Sequence, residues 1–250
     1  MKQCNWTIDQ QANTVTLYKN EDGHDHTNCI TVPFTIDRQY DMYMNFRVGR
    51  ATVKNALVDY GSNGSITLKD DAFELLKDEG IIGQTLVQKG QKSSGIYGKP
   101  VDLKREFHSS DSVSIDSLFL EKMSMRSGHK SMVGTGFLSR FTVTIDWDDR
   151  QIHFSPTDEE PEPIEIVGFS LSYSPGIGMF VQSVVEPSNA VLAGIRPNMK
   201  VTKVDTLNFE EGADFCDYVF YEFGDRIFVE AVDSVGQKRQ YNFDRTLQRY

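Results

Sequence analysis

Residues 56–65 read Ala56-Leu57-Val58-Asp59-Tyr60-Gly61-Ser62-Asn63-Gly64-Ser65. They close a strand-like run, Ala51 to Val58, that alternates at first and turns wholly apolar at its end. A strand apolar on both faces is buried on both faces, so this one carries Asp59 from an interior to a tip. Gly61 lets the chain fold back sharply, and the hydroxyls of Ser62 and Ser65 follow at once. Taken alone, such an aspartate is a turn carboxylate that accepts local backbone N–H groups.

Outward from this stretch, the chain repeats itself. Residues 5–17, NWTIDQQANTVTL, align without a gap on residues 142–154, TVTIDWDDRQIHF. Trp6-Thr7-Ile8-Asp9 falls on Val143-Thr144-Ile145-Asp146, and Val15 and Leu17 fall on Ile152 and Phe154. Each copy reads as strand, polar turn, strand. Two homologous lobes, each ending in this hairpin, explain the match. The first copy opens the chain, so its own lobe is expected upstream and the sequence reads as a fragment.

Residues 30–155 read as mostly β. Ile30–Ile36, Tyr43–Val48 and Ala51–Val58 are strands, with Gly49-Arg50 as a tight turn. Asp70 to Glu79 reads as a helix with Ala72, Leu75 and Leu76 on one face. Residues 86–107 carry Gly90, Gly95 and Gly98 between β-like runs, as in a mobile hairpin. Residues 112–120 and 141–147 are further strands. Three prolines and five acids crowd 156–165, PTDEEPEPIE, an extended linker. Beyond it, 166–250 has its own pattern: strands at 180–185, 201–205, 227–232 and 238–243, a short helix 188–193 stopped by Gly194, and an amphipathic helix 213–223 with Phe215, Val219 and Phe223 inward. The expected domains are 1–29 (closing hairpin plus connector), 30–155, the linker 156–165, and 166–250.

Composition bounds the function. The chain has 250 residues, a formal net charge of −10 and 39% hydrophobic residues, enough for one large or two modest cores. Its acidity argues against nucleic acid, because phosphate repels it. No run approaches the roughly 18 apolar residues of a membrane helix. Cys4, Cys29 and Cys216 have no CxxC spacing. His24-Asp25-His26 lies in a polar connection and reads as a solvated loop, and Gly176-Ile177-Gly178 as a hairpin turn. No metal ligand set and no cofactor motif is visible.

The Asp59 stretch resembles the Asp-Thr-Gly motif of retropepsin-like aspartic proteases. Met132-Val133-Gly134-Thr135-Gly136-Phe137-Leu138 resembles that family's apolar-Gly strand and short helix that brace the catalytic loop. The hairpin 141–154 resembles the lobe's closing strands, and the glycine-bearing hairpin resembles its flap, with Gly95, Tyr97 and Gly98 near the tip. The resemblance covers 30–155. It implies an aspartic endopeptidase in the complete parent protein, in which Asp59 supplies one of two carboxylates across a water, Gly61 shapes the loop and Ser62 can donate to the carboxylate. The fragment alone is expected to be inactive. The partners implied are a peptide or protein substrate and a missing N-terminal lobe, or a second copy of this lobe as in single-lobe homodimers. Tyr60 departs from the family's Thr, whose hydroxyl interlocks the two loops. A non-catalytic, peptide-binding scaffold therefore stands as the alternative.

Residues 187–201, Pro187-Ser188-Asn189-Ala190-Val191-Leu192-Ala193-Gly194-Ile195-Arg196-Pro197-Asn198-Met199-Lys200-Val201, resemble the SPA–AGL–PGD signature of bacterial PDZ domains, departing at Asn198-Met199. Val167-Gly168-Phe169 then resembles the loop whose amides receive a peptide carboxylate, so protein C-termini are the partner implied for this module. Together these resemblances imply a mainly β chain with short helices: an acid-protease-like β-barrel lobe, then a PDZ-like β-barrel with two helices. A periplasmic or cell-surface location follows only from the kind of bacterial protease it resembles.

Overall fold

A computed structural model of the chain describes residues 4–19, 29–48, 51–92, 101–115, 118–157 and 165–247. The protein is mainly β, with four short helices among the described residues. In chain order the elements are β1 (Asn5–Asp9), β2 (Thr14–Tyr18), β3 (Ile30–Ile36), β4 (Met42–Val48), β5 (Ala51–Val58), β6 (Ile66–Lys69), α1 (Asp70–Asp78), β7 (Leu86–Lys92), β8 (Val101–Ile115), β9 (Leu118–Gly128), β10 (Met132–Val133), α2 (Thr135–Leu138), β11 (Phe141–Asp146) and β12 (Gln151–Pro156). They continue with β13 (Glu165–Ile166), β14 (Phe169–Ser174), β15 (Gly178–Glu186), α3 (Asn189–Ala193), β16 (Lys200–Val204), β17 (Leu207–Asn208), α4 (Phe215–Val219), β18 (Arg226–Val232), β19 (Lys238–Asp244) and β20 (Thr246–Leu247). Packing divides the chain into two compact units: Met1–Thr85 with His108–Glu162, and Leu86–Phe107 with Pro163–Arg249.

In the first unit, β10 runs between β5 and β6. It is parallel to β5 (Met132↔Leu57, Val133↔Val58) and antiparallel to β6 (Met132↔Thr67, Val133↔Ile66). β9 lies parallel on the far side of β6. The apolar end of β5 is thus covered on both faces and paired on both edges, and Ala56, Leu57 and Val58 are all buried. On α1 the buried residues are Phe73 and Leu76, while Leu75 is 48% exposed. The expected face is therefore rotated: the i, i+3 pair of 73 and 76 meets the sheet, and 75 turns to solvent.

The repeated segments fold as the repeat implies. β1 and β2 pair as Trp6↔Leu17 and Asp9↔Thr14, and β11 and β12 pair in the same register as Val143↔Phe154 and Asp146↔Gln151. Both turns are built alike. Asp9 Oδ1 accepts the Ala12 amide at 2.9 Å, and Asp146 Oδ1 accepts the Asp149 amide at 2.9 Å. The next residue is left-handed in each, Asn13 at φ 52° and Arg150 at φ 55°. The hairpins also pair with each other through β1 and β11, as Trp6↔Ile145, Thr7↔Thr144 and Ile8↔Val143. Thr7 and Thr144, 137 residues apart, are equivalent and stand directly opposite, their hydroxyls 2.7 Å apart. A local two-fold axis therefore passes between them.

The second unit holds β13 to β20 with α3 and α4. β14 pairs with β15, β16 pairs with β15, β17 and β18, and β18 pairs with β19. The sequence reading keeps residues 86–107 with the preceding lobe, but they group here with the second unit. β7 pairs with β15 (Ser183↔Gly90, Val184↔Lys89, Glu186↔Val87) and with β8. The contact is tight because position 90 has no side chain: a Cβ there would stand 2.2 Å from the Gln182 carbonyl oxygen. α3 is capped by Ser188, whose hydroxyl accepts the Val191 amide, and ends at left-handed Gly194. α4 is only five residues long, against the expected 213–223. A capping box of Asp214 and Asp217 starts it, and the aromatic run beginning at Phe220 favours helix poorly and ends it.

Candidate functional site

Asp59 is the first residue beyond β5. Its amide donates to the Val133 carbonyl at 2.9 Å, so β10 fixes where the tip begins. Its carboxylate Oδ1 accepts the Gly61 amide at 2.8 Å, and its carbonyl accepts the Ser62 amide at 3.2 Å. That is the local Asx geometry expected of an aspartate before a glycine turn.

The rest of the loop is held from α2. The Gly134 amide donates to the Ser65 carbonyl at 2.9 Å, Thr135 to Ser62 at 2.8 Å, and Gly136 to Gly64 at 3.2 Å. The Thr135 hydroxyl adds a second bond to the Ser62 carbonyl at 3.0 Å. These amides belong to the start of a helix and have no intrahelical acceptor, so the loop's carbonyls satisfy them and are fixed by them. The approach is close: a Cβ on Gly134 would meet the Gly64 and Ser62 carbonyl oxygens at 2.3 and 2.5 Å. Met132 to Leu138 therefore braces the Asp59 loop through backbone contacts that require glycine.

Arg126, on β9, is a member of the site that the sequence reading misses. Its Nε donates to the Thr67 hydroxyl at 2.8 Å and its Nη2 to the Ser62 hydroxyl at 3.1 Å. Its guanidinium lies against Gly64, where a Cβ would come within 2.6 Å of it. The resemblance lets Ser62 donate to Asp59; its hydroxyl accepts from Arg126, and that bond does not use the hydroxyl's own proton. No short motif announces Arg126, because parallel pairing of β6 with β9 brings it from 64 residues away. Tyr60 packs against the core, and its hydroxyl is buried without a hydrogen-bond partner among the described residues. Burial pushes the phenol far above its ordinary range, so it stays neutral. Gly95, Tyr97 and Gly98 lie outside the described residues.

In the second unit, Gly168 has φ 88°, and a Cβ on it would stand 2.7 Å from the Ser188 hydroxyl and 3.0 Å from Ala190. Its carbonyl accepts the Val185 amide at 2.9 Å. Phe169 turns its ring into the core, edge-on to Phe223 and Phe243 at 6.3 and 6.0 Å, and Val167 packs beside that core. Val167 and Phe169 thus give their side chains to the interior. β14 continues from it, facing α4, whose Tyr218 hydroxyl accepts the Leu171 amide at 3.2 Å. A cavity of about 380 Å³ opens at the far end, lined by Tyr173, Met179, Phe209 and Phe215, with Asp214 and Cys216 at its side. The sequence reading turns Phe215, Val219 and Phe223 inward; Phe223 packs on the core, and so does Tyr218, while Phe215 and Val219 are exposed. Among the described residues no group of His, Cys, Asp and Glu is arranged to hold a metal ion.

No protein-family model matches the chain, and no curated protein matches it. Among solved structures, Basic 7S globulin from soybean is similar over 61% of this chain and 52% of its own, at 10% identity and a TM-score of 0.38. The chain spans about half the length of that protein. The serine endoprotease from Yersinia pestis is similar over 99% of this chain and 95% of its own, at 10% identity and a TM-score of 0.26. At such scores neither likeness carries an argument about fold or chemistry.

Proposed function

We propose that the first unit is one lobe of a two-lobed aspartic endopeptidase, and that the second binds peptide or protein C-termini along β14. The observation that carries the reading is the two-fold axis between Thr7 and Thr144, with equal hairpins on either side. Repeated lobes about such an axis bring two equivalent loop tips face to face, and Asp59 is the carboxylate on one. Two carboxylates so close cannot both ionise, and they share a proton. One then takes a proton from water as it attacks the peptide carbonyl, and the other gives a proton to the carbonyl oxygen. The Asp59 loop is suited to this because its backbone is tied at Ser62, Gly64 and Ser65, which holds the carboxylate in one place.

Tyr60 favours a second reading, a non-catalytic peptide-binding scaffold: its buried hydroxyl, without a partner among the described residues, makes no hydrogen bond to the loop. Cleavage of an unfolded protein between about pH 3 and 7 separates the two readings. On the protein as its cell makes it, Asp59→Asn should lower the rate by about a thousandfold or more, and pepstatin should block the wild type. A folded wild type that cleaves nothing favours the scaffold.

A further inference from the structure

We infer that Tyr218 is a latch, filling the strand-addition site of the second unit until a ligand strand displaces it. The inference rests on the reading of this unit as a peptide binder and names how the site is kept closed. β14 pairs with β15 along one edge, and among the described residues no strand lies along the other. The Val181 amide points away from β14, to the Met199 carbonyl at 2.9 Å. Leu171↔Val181 is therefore a non-hydrogen-bonded pair, and the Leu171 amide points out of the open edge. A backbone amide in a half-buried groove needs an acceptor. Here that acceptor is the Tyr218 hydroxyl, at 3.2 Å.

A peptide added antiparallel to β14 would offer a carbonyl to this same amide. One donor cannot serve both, so the Tyr218 bond and the added strand exclude each other. Beyond this bond, apolar packing beside the core holds Tyr218. Its ring is held by Phe215 and Phe223, each with centroids 6.1 Å away, and among the described residues its hydroxyl has no second hydrogen bond. Its helix is five residues long, and Val219 and Phe220 beside it are exposed. The closed form lowers apparent affinity by the fraction of time the edge is open.

The test uses the 250-residue chain and a fluorescent hexapeptide of β-branched residues ending in a free valine carboxylate. Tyr218→Phe keeps the ring and removes the acceptor, so it should bind the peptide about three- to tenfold more tightly than wild type. Without peptide, its Leu171 amide should exchange with solvent faster. Tyr221→Phe, whose ring packs on Phe223 at 5.2 Å, should bind as wild type does. Equal affinity of Tyr218→Phe and wild type overturns the latch alone, and so does equal tightening by Tyr221→Phe. Binding by none of the three proteins removes the peptide reading and the latch with it.

Discussion

Tyr60 follows the candidate catalytic aspartate, and its buried hydroxyl has no hydrogen-bond partner among the described residues. A hydroxyl in that state forgoes its hydrogen bonds to water and gains none in return. Tyr60→Phe should therefore raise stability by about 1 kcal/mol, read from the urea midpoint. Gly134→Ala should do the opposite. Its Cβ would press on two backbone carbonyls rather than on a flexible side chain, and a loss of about 3 kcal/mol is expected in the same measurement. Asp59 and its glycine turn were legible in the sequence, because strand, carboxylate and turn lie within ten consecutive residues. Arg126 and Tyr218 were not. Each reaches its partner through tertiary pairing, and their local patterns match those of any half-buried strand or helix residue.

The two hairpins show how the same element acquires different energetics from its surroundings. Ile152 and Phe154 are 0% and 1% exposed in the core of the first unit, while their equivalents Val15 and Leu17 are 61% and 66% exposed. β12 pairs along its outer edge with β3, and no described strand pairs with the outer edge of β2. In the 250-residue chain, Phe154→Ala should cost about 3–5 kcal/mol and Leu17→Ala at most about 0.5 kcal/mol, by urea denaturation of each variant. The repeat could be read in the sequence because turn chemistry and alternation survive together at fixed spacing. That the copies pair with one another could not, since strand pairing is set by the fold rather than by either hairpin. The helix faces were misjudged for a related reason. Periodicity over a stretch as short as α1 or α4 leaves the wheel free to turn by one position, and packing decides which.

Across the molecule, the acid limit of stability draws on a carboxylate of the second unit. Glu230 is pulled down to about 2, first by Lys238 and then by hydrogen bonds from Gln240 and Thr202, against the opposing effect of burial. Its folded value lies below the ordinary range near 4.3, so its contribution is present above that range and lost as pH falls toward about 2. Glu230→Gln should flatten the decline of the urea midpoint between about pH 5 and 2 while leaving any peptide hydrolysis unchanged. The mainly β class was readable from alternation, while residues 158–164 of the acidic proline-rich stretch lie outside the described residues. The grouping of residues 86–107 with the second unit was not readable, because it depends on a strand pairing with β15. The most direct test of Asp59 as half of a proton-sharing pair is the pH dependence of kcat/KM for peptide hydrolysis by the protein as its cell makes it. A carboxylate pair predicts a bell with both limbs below about pH 7, abolished by Asp59→Asn. A rate that rises through neutral pH, or one that Asp59→Asn leaves intact, contradicts it.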